Sequence, residues 1–194
     1  MADRIFLVRH GQTEWSRTGR HTGRTDVELE PEGVRDAELI GARLRSERFA
    51  LVLSSPLRRA LETCRIAGFG EEVQTRDDLM EWDYGDYEGL TTAQIRERRP
   101  TWSLWKEGAP GGETAAQVGS RADRVLEQVR TAEGDALLFA HAHLLRVLTA
   151  RWLGLPTRDG RLLGLSTSSV SMLGHERETE VILLWNDISH LPKP

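Results

Sequence analysis

One cysteine, Cys64, stands among 194 residues, so no internal disulfide can form and the chain shows no adaptation to an oxidising compartment. Cytoplasm is the expected location. No run of about 18 apolar residues occurs, which leaves no membrane span. The opening Met-Ala-Asp-Arg leads straight into Ile5-Phe6-Leu7-Val8, too short and wrongly flanked for a signal peptide. An excess of one charge is missing as well: 26 Lys and Arg against 30 Asp and Glu give a net charge of −4. No cluster of basic residues is interleaved with stacking aromatics, so nucleic acid is not an expected partner. Internal repeats, low-complexity tracts and linkers are absent.

Three phosphate or acyl-transfer motifs are also missing. There is no G-x-x-x-x-G-K-[ST] loop and no G-x-G-x-x-G after a strand, which excludes the common nucleotide cradles. Gly164-Leu165-Ser166-Thr167-Ser168 lacks the second glycine of a nucleophile elbow, which argues against a serine esterase. What remains is a globular composition, 39% hydrophobic and 29% charged, long enough for one domain over residues 1–194 that folds without staples.

Short apolar runs at Ile5–Val8, Ala50–Leu53 and Ala136–Ala140 read as strands buried on both faces of a parallel sheet. Helical stretches separate them. Pro31 stands at a first-turn position, with Val34, Ala37, Ile40, Ala42 and Leu44 following at near-helical spacing up to Ser46-Glu47-Arg48. Leu57, Leu61 and Cys64 repeat the pattern. Thr114-x-x-Gln117 reads as a capping box opening a long helix with Val118, Ala122, Val125 and Val129 on one stripe and Gly134 beyond its end. Leu144–Trp152 reads as helix, and Val170–Leu173 and Val181–Trp185 as a terminal pair of strands joined by the polar stretch 174–180. Alternating strands and helices predict an α/β fold, helices covering both faces of the sheet, with ligands beyond the carboxyl ends of the strands.

The residues at those ends carry the chemistry. The first strand delivers Arg9-His10-Gly11, and the Ala136–Ala140 strand delivers His141-Ala142-His143. Ser54-Ser55-Pro56 ends another strand and Leu57-Arg58-Arg59-Ala60 opens a helix. Two imidazoles and several guanidinium groups at one edge imply an anionic ligand, since arginine offers a planar fork of donors suited to phosphoryl or carboxylate oxygens. Glycine after His10 allows a sharp turn that projects the imidazole. His141 and His143 share a face only if the strand continues, so no metal is expected. Arg96, Arg98 and Arg99 are most simply a charged helix face, and packing is the simpler reading of Trp102 and Trp105 than a lid over the site.

Four motifs in order, Leu7-Val8-Arg9-His10-Gly11, Ser54-Ser55-Pro56-Leu57-Arg58-Arg59-Ala60, Leu79-Met80-Glu81 leading into Tyr84-Gly85-Asp86-Tyr87-Glu88-Gly89, and His141 after an apolar strand, give the chain its resemblance to the histidine phosphatase superfamily, the phosphoglycerate mutase-like family. The resemblance implies a three-layer α/β/α sandwich with a mostly parallel central sheet. It also implies that His10 is a nucleophile, that Arg9, Arg59 and His141 surround the phosphoryl group, and that Glu81 is the proton donor. Glu88 and Asp83 are alternative acids that the residues alone do not separate from Glu81. Ser16, Thr22 and Gly23 match positions that offer donors to substrate. No cofactor is implied.

Gly19-Arg20-His21-Thr22-Gly23, Pro110-Gly111-Gly112-Glu113-Thr114 and Leu144-Leu145-Arg146-Val147-Leu148 are similar to a branch holding sedoheptulose bisphosphatases and bacterial acid phosphatases. The expected partner is a small phosphate ester, with neither nucleic acid nor membrane; a homodimer is compatible with this reading. A phosphoglycerate mutase is the alternative, followed by a non-catalytic phospho-ligand sensor or a phosphatase acting on protein side chains. Two departures stand out: Gln12 replaces a common Glu, and Ala142 replaces a glycine, which would strain the rim beside His141 if that position needs positive φ.

Overall fold

Alternate residues of β1 (Ile5–Arg9) enter different cores in the computed structural model, which describes residues 3–192. Ile5 and Leu7 join one apolar cluster, Phe6 and Val8 the other. A strand that buries both faces this way must be covered by helices on each side, and the chain supplies them in sequence. After β1 come α1 (Glu14–Arg17), α2 (Pro31–Leu44), β2 (Leu51–Ser54), α3 (Arg58–Cys64) and the short β3 (Val73–Thr75). Next are α4 (Thr92–Arg98), α5 (Leu104–Glu107), α6 (Ala115–Arg130), β4 (Ala136–Ala140), α7 (Ala142–Trp152), β5 (Val170–Glu176) and β6 (Thr179–Asp187). Ile40 and Leu44 of α2 and Cys64 of α3 fill the cluster holding Phe6 and Val8. Val118, Val125 and Val129 of α6 and Leu144 and Leu148 of α7 fill the other.

The six strands run in the order β3-β2-β4-β1-β5-β6. Pairing is parallel from β3 through β2 and β4 to β1, then antiparallel to β5 and from β5 to β6. The fold is therefore the expected α/β class, a mostly parallel central sheet flanked by helices. Because β4 returns between β2 and β1, the chain order reverses at the sheet centre, and the carboxyl ends of β1 and β4 lie side by side with Arg9 opposite Ala140.

Several local readings hold in detail. The capping box at α6 is formed, with the Gln117 N–H donating to Thr114 Oγ1 at 3.3 Å and the Thr114 N–H to Gln117 Oε1 at 2.8 Å. The stripe Val118, Ala122, Val125 and Val129 is buried. Others shift. On α2 the buried face is Gly33, Ala37, Ile40 and Leu44, its first turn lying against the loop after β1 at Gln12 and its later turns on the Phe6 and Val8 cluster, while Ala42 is exposed. The final hairpin turns only at Arg177-Glu178, with Arg177 at φ 56°, so both strands run into the stretch 174–180 read as a linker. Strand β3 was not anticipated: three residues at a sheet edge carry too little periodicity to register.

Candidate active site

The register of β1 and β4 places the two histidines. Arg9 pairs with Ala140, so the next residue on each chain, His10 and His141, leaves the sheet at the same point, with ring centroids 5.2 Å apart. The loop carrying His10 then passes against α2. A Cβ on Gly11 would sit 2.5 Å from the Gly33 carbonyl oxygen, and one on Gly33 would sit 2.4 Å from the Gln12 carbonyl oxygen. Close backbone approach, not positive φ, is thus what Gly11 provides.

Nδ1 of His10 lies 2.7 Å from the carbonyl oxygen of Gly11, which can only accept, so Nδ1 carries the hydrogen and Nε2 keeps its lone pair. Burial, then the Arg59 and Arg9 charges, holds His10 well below the ordinary histidine range, and the ring stays neutral. His141 is fully buried and likewise held well below that range by burial, Arg59 and His10. Its Nε2 lies 2.8 Å from Ser55 Oγ, which already accepts from the Leu57 N–H. The serine hydrogen has no acceptor among the described residues other than Nε2, so it goes there, leaving Nδ1–H as a free donor.

Arg59, on the first turn of α3, is completely buried. It donates from Nη1 to the carbonyl of Thr25 and from Nη2 to those of Thr22 and Gly23, fixing the 22–25 loop. Arg9 donates from Nη1 to the Leu165 carbonyl at 2.6 Å, and burial lowers its pKa to about 10. Arg9 Nε, Arg59 Nε and His141 Nδ1 are buried with no hydrogen-bond partner. Each such group costs about 1–3 kcal/mol; the charges of Arg9 and Arg59 act on His10 and the His141 ring lies against it, while of these three residues Arg9 lines the cleft and Arg59 and His141 lie behind it.

Arg9 and His10 open onto a cleft of about 170 Å³ together with Ser16, Thr22, Glu81, Tyr84 and His143. Glu81 is 4% exposed. Its Oε1 accepts from the N–H groups of Trp82 and Leu144 and its Oε2 from that of His143, so the first turn of α7 orients the carboxyl group. The other acids of the segment are spent elsewhere. Glu88 Oε1 accepts from Gly23 N–H at 2.7 Å and Thr25 N–H at 3.0 Å, and Asp83 Oδ1 from Gly85 N–H. Neither residue lines the cleft.

The three expected substrate donors fare differently. Thr22 lines the cleft, with its hydroxyl 3.2 Å from the Arg20 carbonyl. Ser16 also lines it, but its hydroxyl closes a capping box with Thr13. Gly23 does not reach the cleft, and its N–H already goes to Glu88. Ala142 is not strained: it is the first residue of α7 and is absent from the non-glycine positive-φ positions among the described residues, Ser168, Arg177 and Asn186. Gln12 donates to Glu30 and Glu32. His143 does not continue the strand, because His141 is already the N-cap of α7; among the described residues no three potential ligands cluster for a metal. Trp102 is buried and donates from Nε1 to the Gly108 carbonyl, a packing role.

Sequence reading missed the brace behind the site. Trp185 Nε1 donates to the Gly164 carbonyl, Asn186 Oδ1 accepts the Ser166 N–H, and His190 Nε2 donates to the Ser168 carbonyl. The loop so held returns the Leu165 carbonyl to Arg9 and the Ser168 N–H to the His10 carbonyl. It also missed Arg20, His21, Tyr84 and His143 as cleft residues. The signal for His143 was the strand ending at His141, which puts residue 143 on the first turn of the next helix at the same sheet edge.

Burial also lowers His21 to about 4 and His143 well below its ordinary range, so four histidines stay neutral where an unfolded chain would protonate them. Below about pH 6.5 the unfolded state binds more protons than the native state, so stability rises with pH across this window and is lost as pH falls through it. Each histidine contributes up to about 1.4 kcal/mol per pH unit. The urea midpoint is expected to drop between pH 7 and pH 5; a midpoint flat across that range would contradict the neutral assignments.

Comparison with known proteins bears on this geometry. The profile of the histidine phosphatase superfamily (branch 1) matches residues 5–188. An acid phosphatase of Mycobacterium tuberculosis is 41% identical, over 98% of this chain and 95% of its own. The sedoheptulose 1,7-bisphosphatase of Saccharomyces cerevisiae is 35% identical, over 80% of this chain and 69% of its own. The solved structure of a mycobacterial glucosyl-3-phosphoglycerate phosphatase in complex with VO3 superposes with a TM-score of 0.86 at 31% identity, covering 95% of this chain and 99% of that one.

Proposed function

The chain belongs to the histidine phosphatase superfamily, branch 1, and from that premise we propose that it is a metal-independent phosphomonoesterase. It hydrolyses small phosphorylated metabolites, sugar phosphates, bisphosphates or phosphoglycerate-like compounds, through a phosphohistidine on His10. The observation that carries this reading is the neutral His10 with its free Nε2, close to Arg9, Arg59 and His141, each of which has a buried nitrogen without a partner.

Nε2 attacks phosphorus in line as the ester oxygen departs. The charge on the equatorial oxygens falls to Arg9 Nε, Arg59 Nε and His141 Nδ1, which are already oriented and desolvated. Glu81 gives its proton to the departing alkoxide, then takes one from the water that cleaves the phosphohistidine. A nucleophile held neutral well below pH 6.5 keeps its lone pair in acid, which accords with an acid phosphatase among the relatives.

The test is phosphate release, with EDTA present, from a panel of sugar phosphates, sugar bisphosphates and phosphoglycerates, with an alkaline denaturing quench to trap an acid-labile, base-stable phosphoenzyme. Turnover that resists chelation and a trapped phosphohistidine are expected; turnover dependent on added metal would overturn the mechanism. Transfer between positions of phosphoglycerate that requires a bisphosphate primer would instead make it a mutase.

Glu81→Gln separates the proton donor from the rest. Its kcat/KM, which reports formation of the phosphohistidine and not the breakdown in which Glu81 serves as base, is expected to fall by about 10²–10⁴-fold for an alkyl phosphate, whose alkoxide must be protonated, and by far less for p-nitrophenyl phosphate, whose phenolate leaves unaided. Equal losses on the two esters would remove Glu81 from that role.

A further inference from the structure

Beyond the phosphate donors the cleft is walled by Tyr84, His143 and His21, and none of these takes part in the phosphoryl transfer proposed above. Tyr84 is 2% exposed, and among the described residues its hydroxyl has one hydrogen-bond partner, Nδ1 of His143 at 2.7 Å. Burial, reinforced by the Glu81 carboxylate, holds the phenol well above its ordinary range, so it keeps its proton. Burial, with Arg146 and His21, keeps the His143 ring neutral.

A neutral phenol and a neutral imidazole share this single bond. Were Nδ1 the donor, the phenol hydrogen would have no acceptor among the described residues, a loss of about 1–3 kcal/mol. The phenol therefore donates, Nδ1 accepts, and the imidazole hydrogen sits on Nε2. That nitrogen has no partner among the described residues and is not among the buried unpartnered atoms, so it opens to the cleft the residue lines. The ring is held in place by Trp105, 5.3 Å away between centroids, and by Tyr84 at 5.8 Å. Its own backbone N–H bonds Glu81 Oε2. The ring that carries the donor is thus fixed beside the carboxyl group assigned to the leaving oxygen, its Nδ1 4.0 Å from Glu81 Oε2.

We propose that His143 recognises the leaving group: its Nε2–H, set as a donor by Tyr84, hydrogen-bonds an oxygen on the alcohol portion of the ester, so that the site selects polyol phosphates over simple alkyl phosphates. The inference rests on the phosphatase reading and names the substrate class within it. Tyr84 is a positioning residue that acts through the tautomer of His143.

Glycerol 1-phosphate and n-propyl phosphate test it, since they share a three-carbon chain and differ in the two hydroxyl groups. The readout is the ratio of their kcat/KM values, which cancels any fraction of unfolded protein. The native ratio is expected to favour glycerol 1-phosphate by about tenfold or more, and His143→Phe and Tyr84→Phe each to lower it by about tenfold. His143→Gln, which keeps an N–H donor, should recover part of it. Tyr84→Phe should have no further effect on the ratio once His143 is Phe. A native ratio near one, a ratio unmoved in His143→Phe, or a full Tyr84→Phe effect without His143 would each overturn the inference while leaving the phosphatase reading intact. Absence of turnover on both esters and on the metabolite panel would take down that reading and this inference together.

Discussion

His10→Ala is expected to lower kcat by about 10⁵-fold or more while inorganic phosphate still binds as a competitive ligand. The first part follows from the covalent route: without Nε2 there is no phosphoenzyme, and removal of a nucleophile from a preorganised site costs losses of about 10⁶-fold in comparable systems. The second follows from the division of labour in the geometry. Arg9 is anchored by Leu165, Arg59 by three loop carbonyls and His141 by Ser55, none of them through His10. The phosphate donors therefore outlast the nucleophile. A measured Ki for phosphate within a few-fold of native, beside absent turnover, would separate attack from binding. Turnover reduced only tenfold would show that water reaches phosphorus directly and that the phosphohistidine is dispensable.

How much of this was legible beforehand depends on the range of the contacts involved. The buried runs at residues 5–8 and 136–140 predict two strands of one parallel sheet with histidines at the same edge; that the two strands are neighbours, with Arg9 opposite Ala140 and so His10 beside His141, comes from the fold. The α6 cap and its stripe were equally readable, because a capping box and a 3.6-residue repeat are local signals. Glu81 could be told from Glu88 and Asp83 in sequence only by motif, whereas in the fold their placement differs: Glu81 lines the cleft and neither Glu88 nor Asp83 does. Invisible in sequence were contacts between residues far apart along the chain. Trp185, Asn186 and His190 steady the 164–169 loop behind Arg9, and no spacing rule links a terminal hairpin to a residue at position 9. The expectation of strain at Ala142 failed for a related reason: the N-cap at His141 places the next residue in ordinary helix geometry.

Arg121→Leu is expected to cost about 3–5 kcal/mol of stability and to misplace Glu81. Arg121 projects from α6 with its side chain only 10% exposed, and its fork meets Glu113 at 2.7 Å from Nε to Oε1 and 2.8 Å from Nη2 to Oε2. The remaining donors go to the carbonyls of Asp78, Met80 and Glu81, the backbone that carries the acid into the cleft. Glu113 in turn accepts the Asp83 N–H and offers its carbonyl to Trp82 Nε1. Burial alone would raise the Glu113 carboxyl, but the bonds from Arg121 and Asp83 outweigh it and hold the group below its ordinary range. Leucine would strip that carboxylate of its paired guanidinium, leaving it the Asp83 N–H and Arg24 Nη2 at 3.6 Å, and would release three carbonyls at once. For a chain of this size the loss corresponds to a fall in Tm of roughly 10 °C. Replacing both residues, Arg121→Leu with Glu113→Leu, should cost less than the single change, because no buried charge is left unpaired. If the two losses instead added, the pair would be two independent packing residues, and the placement of Glu81 would rest on the first turn of α7 alone.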